Sequence, residues 1–421
     1  MKKKSRMAAA LLALLFAVSL GLTACSNPAE DGAPVDSGPD TSVSEPDTSV
    51  SEPGTSESEP APEGEPEGNV FEVKYAADWA EAFPYQVESY LKGADVVAVD
   101  DKDYSSYGPE LVGHYFALDL VSGAEHLGIS KTSCFSCKSP DFMTLLNEYG
   151  TNAYTLDYEE VKAGMTEAIS CYDCHGDQPG EIVLTRPWME GELVAGLKGI
   201  SDENLSCAQC HTMYIHNAGT DAVELTYKYG LDADSLLKYF DETDRTSGVD
   251  EATGTKMLDM TEHSELTSIQ GSKMNDMGVT CADCHMEKKT AEDGTAYTNH
   301  IWESPLKSET LIENNCLTCH SNETTESMKA KIVKNQETVA EAVAEASAKV
   351  EEYHTALADA VKAGTLDEDT LDQARYLYRA AAYYVCFQGL DGSDGAHNMS
   401  FNTECLDKAI ACVNEGMSLL G

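Results

Sequence analysis

Ten of the fourteen cysteines in this 421-residue chain fall into five C-x-x-C pairs: Cys134/Cys137, Cys171/Cys174, Cys207/Cys210, Cys281/Cys284 and Cys316/Cys319. In four of them a histidine follows at once, namely His175, His211, His285 and His320, while the first is followed by Lys138. Paired thiols with an adjacent imidazole are the attachment pattern of c-type haem. The thiols form thioethers with the haem vinyl groups, and the imidazole reaches the iron as its proximal ligand. Zinc also favours paired cysteines, but it does not require a histidine after every second one. On an exported chain, bare pairs would more often oxidise to disulfides. The repeats predict five covalently bound haem c groups.

Seven histidines remain: His114, His126, His216, His263, His300, His354 and His397. They suffice for second axial ligands, with some left for chemistry. Lys138 is the exception in the series. An amine binds iron only when deprotonated, and burial beside a metal favours the neutral form. A haem with a special proximal ligand is a candidate for binding substrate at its opposite face, which electron transfer alone would not require. Cys386, Cys405 and Cys412 lie outside the pattern, as one disulfide with a thiol left over or as plain buried cysteines.

These motifs need a scaffold and an address. Lys2, Lys3, Lys4 and Arg6 precede an apolar run from Met7 to Leu22, which reads as a secretory leader over residues 1–24. Leu22-Thr23-Ala24-Cys25 resembles a bacterial lipobox, so Cys25 is the expected lipidation site and the membrane link a lipid anchor. Residues 25–70 read as a tether. The stretch 26–68 is Pro/Ser/Glu-rich, lacks Lys, Arg and aromatic residues, and repeats Asp-Thr-Ser-Val-Ser-Glu-Pro at 40–46 and 47–53. It cannot bury enough apolar surface to offset its ordering entropy. Of the net charge of −45, the leader carries +4 and the tether −12, leaving −37 on residues 69–421. That field disfavours nucleic acid and anionic lipid as partners, and an anionic substrate would need a local positive pocket.

The fold expected over 71–421 is mainly α: haem-bearing loops over 134–320, then a bundle of long helices over 328–419. Ile332, Val339, Ala346, Tyr353 and Ala360 repeat at one heptad position, and Val343, Val350 and Leu357 at the other, with Gln336 as its polar exception. Gly364 predicts a stop, with further helices to about 387 and from about 402. Such a seam packs by default within the chain. A short helical run is expected within 155–168. Tyr376, Tyr378, Tyr383 and Tyr384 read as core or haem-packing aromatics.

Type and order of the motifs together resemble the pentahaem, ammonia-forming cytochrome c nitrite reductases over residues 71–421. Cys134-Phe135-Ser136-Cys137-Lys138-Ser139-Pro140-Asp141 looks like that family's active-site attachment motif. Cys207 to Tyr214 looks like its third motif, whose tyrosine lines the substrate pocket. His263, 18 residues before Cys281, matches its active-site histidine. His114, His300 and His397 lie in segments similar to the distal ligands of haems 3, 2 and 4. The resemblance implies six-electron reduction of nitrite to ammonium, a membrane quinol dehydrogenase cytochrome as donor, and a homodimer formed through the long helices.

The chain also departs from that pattern. His126 stands where the family has a substrate-binding arginine, with Lys131 as a nearby substitute; neither offers the guanidinium fork. Met274, seven residues before Cys281, stands at the expected distal position of haem 5. The alternative is a core methionine, with Met277 or another group at that iron. At the family's calcium site Met213 replaces a glutamate and Glu262 a glutamine. Ca²⁺ would then rest on Glu262 and on the backbone carbonyls of Tyr214 and Met260. Two other readings remain open: reduction of hydroxylamine or sulfite at the same site, and a multihaem electron-transfer protein without a substrate.

Overall fold

The computed structural model describes residues 72–93, 114, 117, 118, 121, 130–258, 263–389 and 391–421. Cys25, His126, Met260 and Glu262 lie outside the described residues, as do the leader and the tether. Between 130 and 320 the chain forms short helices and turns. Three antiparallel two-stranded hairpins interrupt them: β1 (Tyr214–His216) with β2 (Val223–Leu225), β3 (Gly248–Val249) with β4 (Lys256–Met257), and β5 (Lys288–Thr290) with β6 (Ala296–Thr298). The second, third and fourth motifs each sit in a short helix or at its end, at Cys171–His175, Asp202–Ala208 and Cys281–His285. Ser170 and Thr280 begin two of these with capping boxes closed by Asp173 and Asp283 from inside the motifs. The run expected within 155–168 forms a helix only over Tyr158–Gly164, where Asp157 caps it by accepting from the Glu160 N–H.

Three long helices close the chain: Thr325–Ala363, Glu368–Gly389 and Met399–Leu420. Thr324 starts the first with a capping box and Gly364 ends it in the left-handed region, at φ 62°. Along its seam Val339, Ala346, Val350, Tyr353 and Leu357 are buried, while Ile332, Val343 and Ala360 are half-buried. The other two long helices pack along it, so the seam is covered within the chain. Gln336, the polar exception, donates from Nε2 to the Ser393 carbonyl at 3.0 Å. Tyr353 donates to the Ala374 carbonyl at 2.7 Å and lies so close to Gly416 that an added Cβ there would overlap its ring and hydroxyl. Tyr378, Tyr383 and Tyr384 are core residues. Tyr376 is 44 % exposed and faces Asp241, because its register falls on the outer side of the helix. Cys405 and Cys412 are free thiols, Cys405 buried, and Cys386 is half-buried. No described helix is long and apolar enough to cross a membrane.

Candidate functional site

The first motif is a tight 3-10 turn over Thr132–Cys137. Phe135, 1 % exposed, stacks on Tyr158, and its carbonyl accepts from the N–H groups of Lys138 and Ser139 at 3.0 and 3.1 Å. Beyond the lysine, Ser139 donates to the Glu167 carbonyl at 2.7 Å. The Asp141 carboxylate accepts from the Tyr75 hydroxyl, from the Thr166 N–H and hydroxyl, and from the Glu167 N–H. The Ser-Pro-Asp sequence after Lys138 thus fixes the loop and leaves the lysine half-buried.

Three pairs of imidazoles close around the next motifs. His175 faces His300 with ring centroids 6.4 Å apart, His211 faces His114 at 5.8 Å, and His285 faces His397 at 6.2 Å. An iron bonded to two imidazole nitrogens, each about 2 Å away, sets the centroids roughly 6 Å apart. The other ring nitrogens are also arranged for ligation. Nδ1 lies 2.5 Å from the Glu181 carbonyl in His175, 3.0 Å from that of Glu303 in His285, and 2.9 Å from that of Thr298 in His300. A carbonyl only accepts, so in these three Nδ1 carries the proton and the Nε2 lone pair is left for a metal. His397 has Nδ1 3.0 Å from the Asp391 carboxylate. Gly395, at φ 88°, brings its segment against Val339, where no Cβ would fit. Burial pushes His114 down to about 3, with the charge of His211 adding to the effect, so its imidazole is neutral. The residues present therefore fit axially ligated haem at the second, third and fourth motifs.

The motifs form a connected series. Cys137 of the first lies beside Cys210 of the third, and Cys207 of the third beside Cys281 of the fourth. Cys174 of the second lies within electrostatic reach of Cys210, and Cys284 of the fourth within reach of Cys316 of the fifth. Polar side chains stitch the segments together. Asn204 accepts from the Cys281 N–H at 2.9 Å, and Asn315 donates to the carbonyls of Asp283 and Met286 at 2.7 and 3.1 Å. The fifth motif lies at the surface, with Cys319 and His320 exposed. Met274 is half-buried in the helix Lys273–Asp276, and Met277 is 70 % exposed.

His263 stands beside this series in a left-handed backbone conformation, φ 76°. Non-glycine residues seldom adopt it, and it is held where the surroundings over-determine it. Here Ser264, fully buried, donates to the Phe387 carbonyl at 3.2 Å. The His263 ring lies 5.3 Å from His211, nearly perpendicular, and Glu265 sits between them, 3.6 Å from Nδ1 of His263 and 4.0 Å from Nδ1 of His211. Burial opposes ionisation of Glu265, but its interactions with the His211 and His263 imidazoles outweigh it and hold the carboxyl well below its usual range. Glu265 was not singled out in the sequence, although its place two residues after His263 was the available signal.

Tyr214 is presented by β1, opposite Leu225 in β2. Met213 beside it is fully buried; its N–H donates to the Tyr227 hydroxyl at 2.9 Å, and its carbonyl accepts from Thr226. His216, two residues on and on the same strand face, sets its ring 5.5 Å from that of Tyr214. Asp221, at φ 56° in the β1–β2 turn, accepts from Lys131 at 3.4 Å and from Ser133 at 3.0 Å. Lys131 is therefore ion-paired, its charge partly spent on this carboxylate. At Met213 a buried thioether, a soft donor, takes the place of an expected hard oxygen ligand for calcium.

Cysteine motifs set in a mainly helical framework, with imidazole pairs spaced for axial ligation, define the class of multihaem c-type cytochromes. Residues 102–420 match the family model of cytochrome c552. The chain belongs to that family, that of the cytochrome c nitrite reductases. A cytochrome c-552 of Aliarcobacter butzleri (strain RM4018) is 30 % identical over 243 residues, which are 52 % of this chain and 47 % of that one. The match thus spans about half the length of that relative. In fold, the chain is similar to a cytochrome c nitrite reductase from Desulfovibrio desulfuricans ATCC 27774, a structure noted for two calcium sites in its catalytic subunit. The TM-score is 0.65 at 21 % identity, over 82 % of this chain and 86 % of that one.

Proposed function

We propose that the chain reduces nitrite to ammonium with six electrons, at a c-type haem attached through Cys134 and Cys137 and ligated by Lys138. The observation that carries this reading is the allocation of imidazoles. His114, His300 and His397 each pair with the histidine of another motif, whereas His263 stands apart beside the third motif, which adjoins the first. Among the described residues His263 is thus left outside these three pairs near the one motif that ends in lysine, as is His216, whose neighbour Asp221 also holds Ser133.

Bound haem supplies the electron path and the iron at which nitrogen is reduced. The protein's part is binding and proton delivery. Nitrite takes up six electrons and eight protons to give ammonium and two waters, so donors must be held at the site and be replenished. His263, its Nδ1 oriented by Glu265, presents its other nitrogen as a proton donor, and Tyr214 on the rigid β1 strand donates a hydrogen bond. His126 or Lys131 supplies positive charge for the anion, Lys131 less strongly because of Asp221. The four further haems, held by Cys171/Cys174, Cys207/Cys210, Cys281/Cys284 and Cys316/Cys319, relay electrons from a membrane quinol dehydrogenase cytochrome. The distal ligand of the fifth haem is Met274. Calcium, if bound beside the first haem, rests on Glu262 and on the carbonyls of Tyr214 and Met260. The protein is exported, held by a lipid on Cys25 at the outer face of the cell membrane, and works as a homodimer.

The pairing of Lys131 with Asp221 favours a second substrate class, since it weakens the hold on an oxyanion: hydroxylamine, a neutral molecule at the same reduction ladder. Turnover of nitrite and hydroxylamine by the haem-loaded protein under a reduced viologen separates the two. The nitrite reading expects ammonium in one-to-one yield from nitrite and a nitrite-sensitive spectrum of the first haem. Lys138→His should leave the other haem spectra unchanged and alter nitrite turnover by about tenfold or more. A first haem that is six-coordinate, low-spin and blind to nitrite would reject an enzymatic role.

A further inference from the structure

Arg186 and Asp173 form an ion pair with side chains 0 % and 4 % exposed, joining segments that carry three different cysteine motifs. The Arg186 guanidinium donates from Nε to the Ser136 carbonyl at 2.9 Å, inside the first motif, and from Nη1 to Thr185 Oγ1 at 2.8 Å. Its third contact, from Nη2, is with the carboxylate of Asp173, inside the second motif. Asp173 also accepts from the Ser170 N–H at 2.7 Å. The third motif enters through Gln209, which accepts from the backbone N–H groups of Thr185 and Arg186 at 2.6 and 2.9 Å. It donates in turn to the carbonyls of Asp173 and Ser206.

Holding three loops together does not by itself call for charge. Gln209 already bridges the second motif, the third motif and the 185–186 segment with a neutral amide. A buried ion pair is a costly device, often no more stabilising than a neutral group of like shape. What charge adds is a field. The guanidinium lies against the first motif, with Nε 2.9 Å from the Ser136 carbonyl, while the Asp173 carboxylate belongs to the second motif, between Cys171 and Cys174 in the chain. In a dry interior such fields are weakly screened. A nearby cation favours the reduced form of a haem and a nearby anion the oxidised form, since net charge around the cofactor is one of the protein's levers on its potential.

We propose that the Arg186–Asp173 pair is an electrostatic tuning element that raises the reduction potential of the first-motif haem relative to the second-motif haem, so that electrons run downhill toward Lys138. The proposal rests on the reading that all five motifs carry haem. Arg186 and Asp173 are positioning residues in this scheme; neither touches substrate.

The test uses the full-length, haem-loaded protein. Haem count by pyridine haemochrome and intact mass comes first: fewer than five haems in the unaltered protein defeats the haem reading rather than the tuning. With five present, the reduced-to-oxidised ratio of the first-motif haem is followed in a potentiometric titration by its distinct high-spin signal. Arg186→Gln combined with Asp173→Asn removes both charges and leaves two amides that can bond each other. The expected ratio at fixed potential falls about tenfold, which is about 59 mV for one electron. Asp173→Asn alone leaves the cation unopposed and should raise the ratio, while Arg186→Lys, which keeps the charge, should hold it within about threefold of the unaltered protein. Opposite signs in the first two variants are the signature of charge, since a merely structural defect would move both the same way. An unchanged ratio in the double variant, shifts of the same sign, or loss of haem from both variants would each overturn the proposal, the last by assigning the pair to loop assembly.

Discussion

Between residues 130 and 320 no described helix exceeds the 11 residues of Ala233–Thr243, whereas the helix that follows runs for 39. The two regions solve the burial problem differently. The long helices bury a heptad seam against each other, with Tyr353, Val350 and Leu357 wholly enclosed. The motif region is joined by single polar side chains, such as Asn204, Gln209, Arg186 and Asn315, that cross from one loop to the next. Helices of five to seven residues cannot persist on local energetics. The comparison teaches that one apolar core runs from the bundle into the motif region, through Phe142, Tyr227 and Phe240, while the short motif turns themselves depend in addition on polar cross-bonds.

The most disruptive way to break that comparison is to withhold haem, by expressing the chain where no thioether attachment occurs. Hydrogen exchange should then find the segments around 134–138, 171–175, 207–211, 281–285 and 316–320 unprotected, with protection retained in the core of 339–357. Equal loss of protection in both regions would show that the bundle has no independence. An intermediate effect is expected within the bundle itself. Leu357→Ala, at a fully buried position, should cost about 2–5 kcal/mol in denaturant unfolding and leave the haem spectra unchanged; a spectral change would mean that the regions are tightly coupled.

The smallest effect probes the contact between the regions. The Asp250 carboxylate, beside the β3–β4 hairpin, accepts from Thr253 and lies 3.2 Å from Nε2 of His354 on the first long helix. Burial opposes its ionisation, but Thr253 and His354 outweigh it and the carboxyl is depressed. A depressed folded value means that this stabilisation is present above the ordinary aspartate value of about 3.9 and is lost as pH falls through the lower folded value. Because the pair is partly solvated, its worth is below about 1 kcal/mol. Asp250→Asn should remove that much stability near neutrality and flatten the acid limb of the unfolding curve below about pH 4. A limb unchanged in slope would remove Asp250 from the link.

Much of the site could be read in the chain itself, for reasons that differ by residue. The haem motifs are local: two thiols and a ligand must fall within five residues to reach one macrocycle, so spacing alone exposes them. The long helices were equally plain, because a heptad repeat and a glycine stop are local signals. His114, His300 and His397 are expected as ligands only by resemblance, since nothing local marks a histidine that meets its partner about a hundred residues away. Lys131 was expected to offer charge to a substrate. Its partner Asp221 lies 90 residues on, in a hairpin turn whose left-handed aspartate has no sequence signature.

What the sequence determined by itself, then, is the set of cysteine motifs and the helical framework, each written in neighbours along the chain. What only the tertiary structure decided is the electrostatics: which charges are paired, which imidazole nitrogen holds the proton, and where a buried guanidinium points. Arg186 illustrates the reason. Its partners lie 13 and 50 residues away, in the second and first motifs, and a charge has a definite effect only once folding has set its distance to the groups it acts on and removed the water between them.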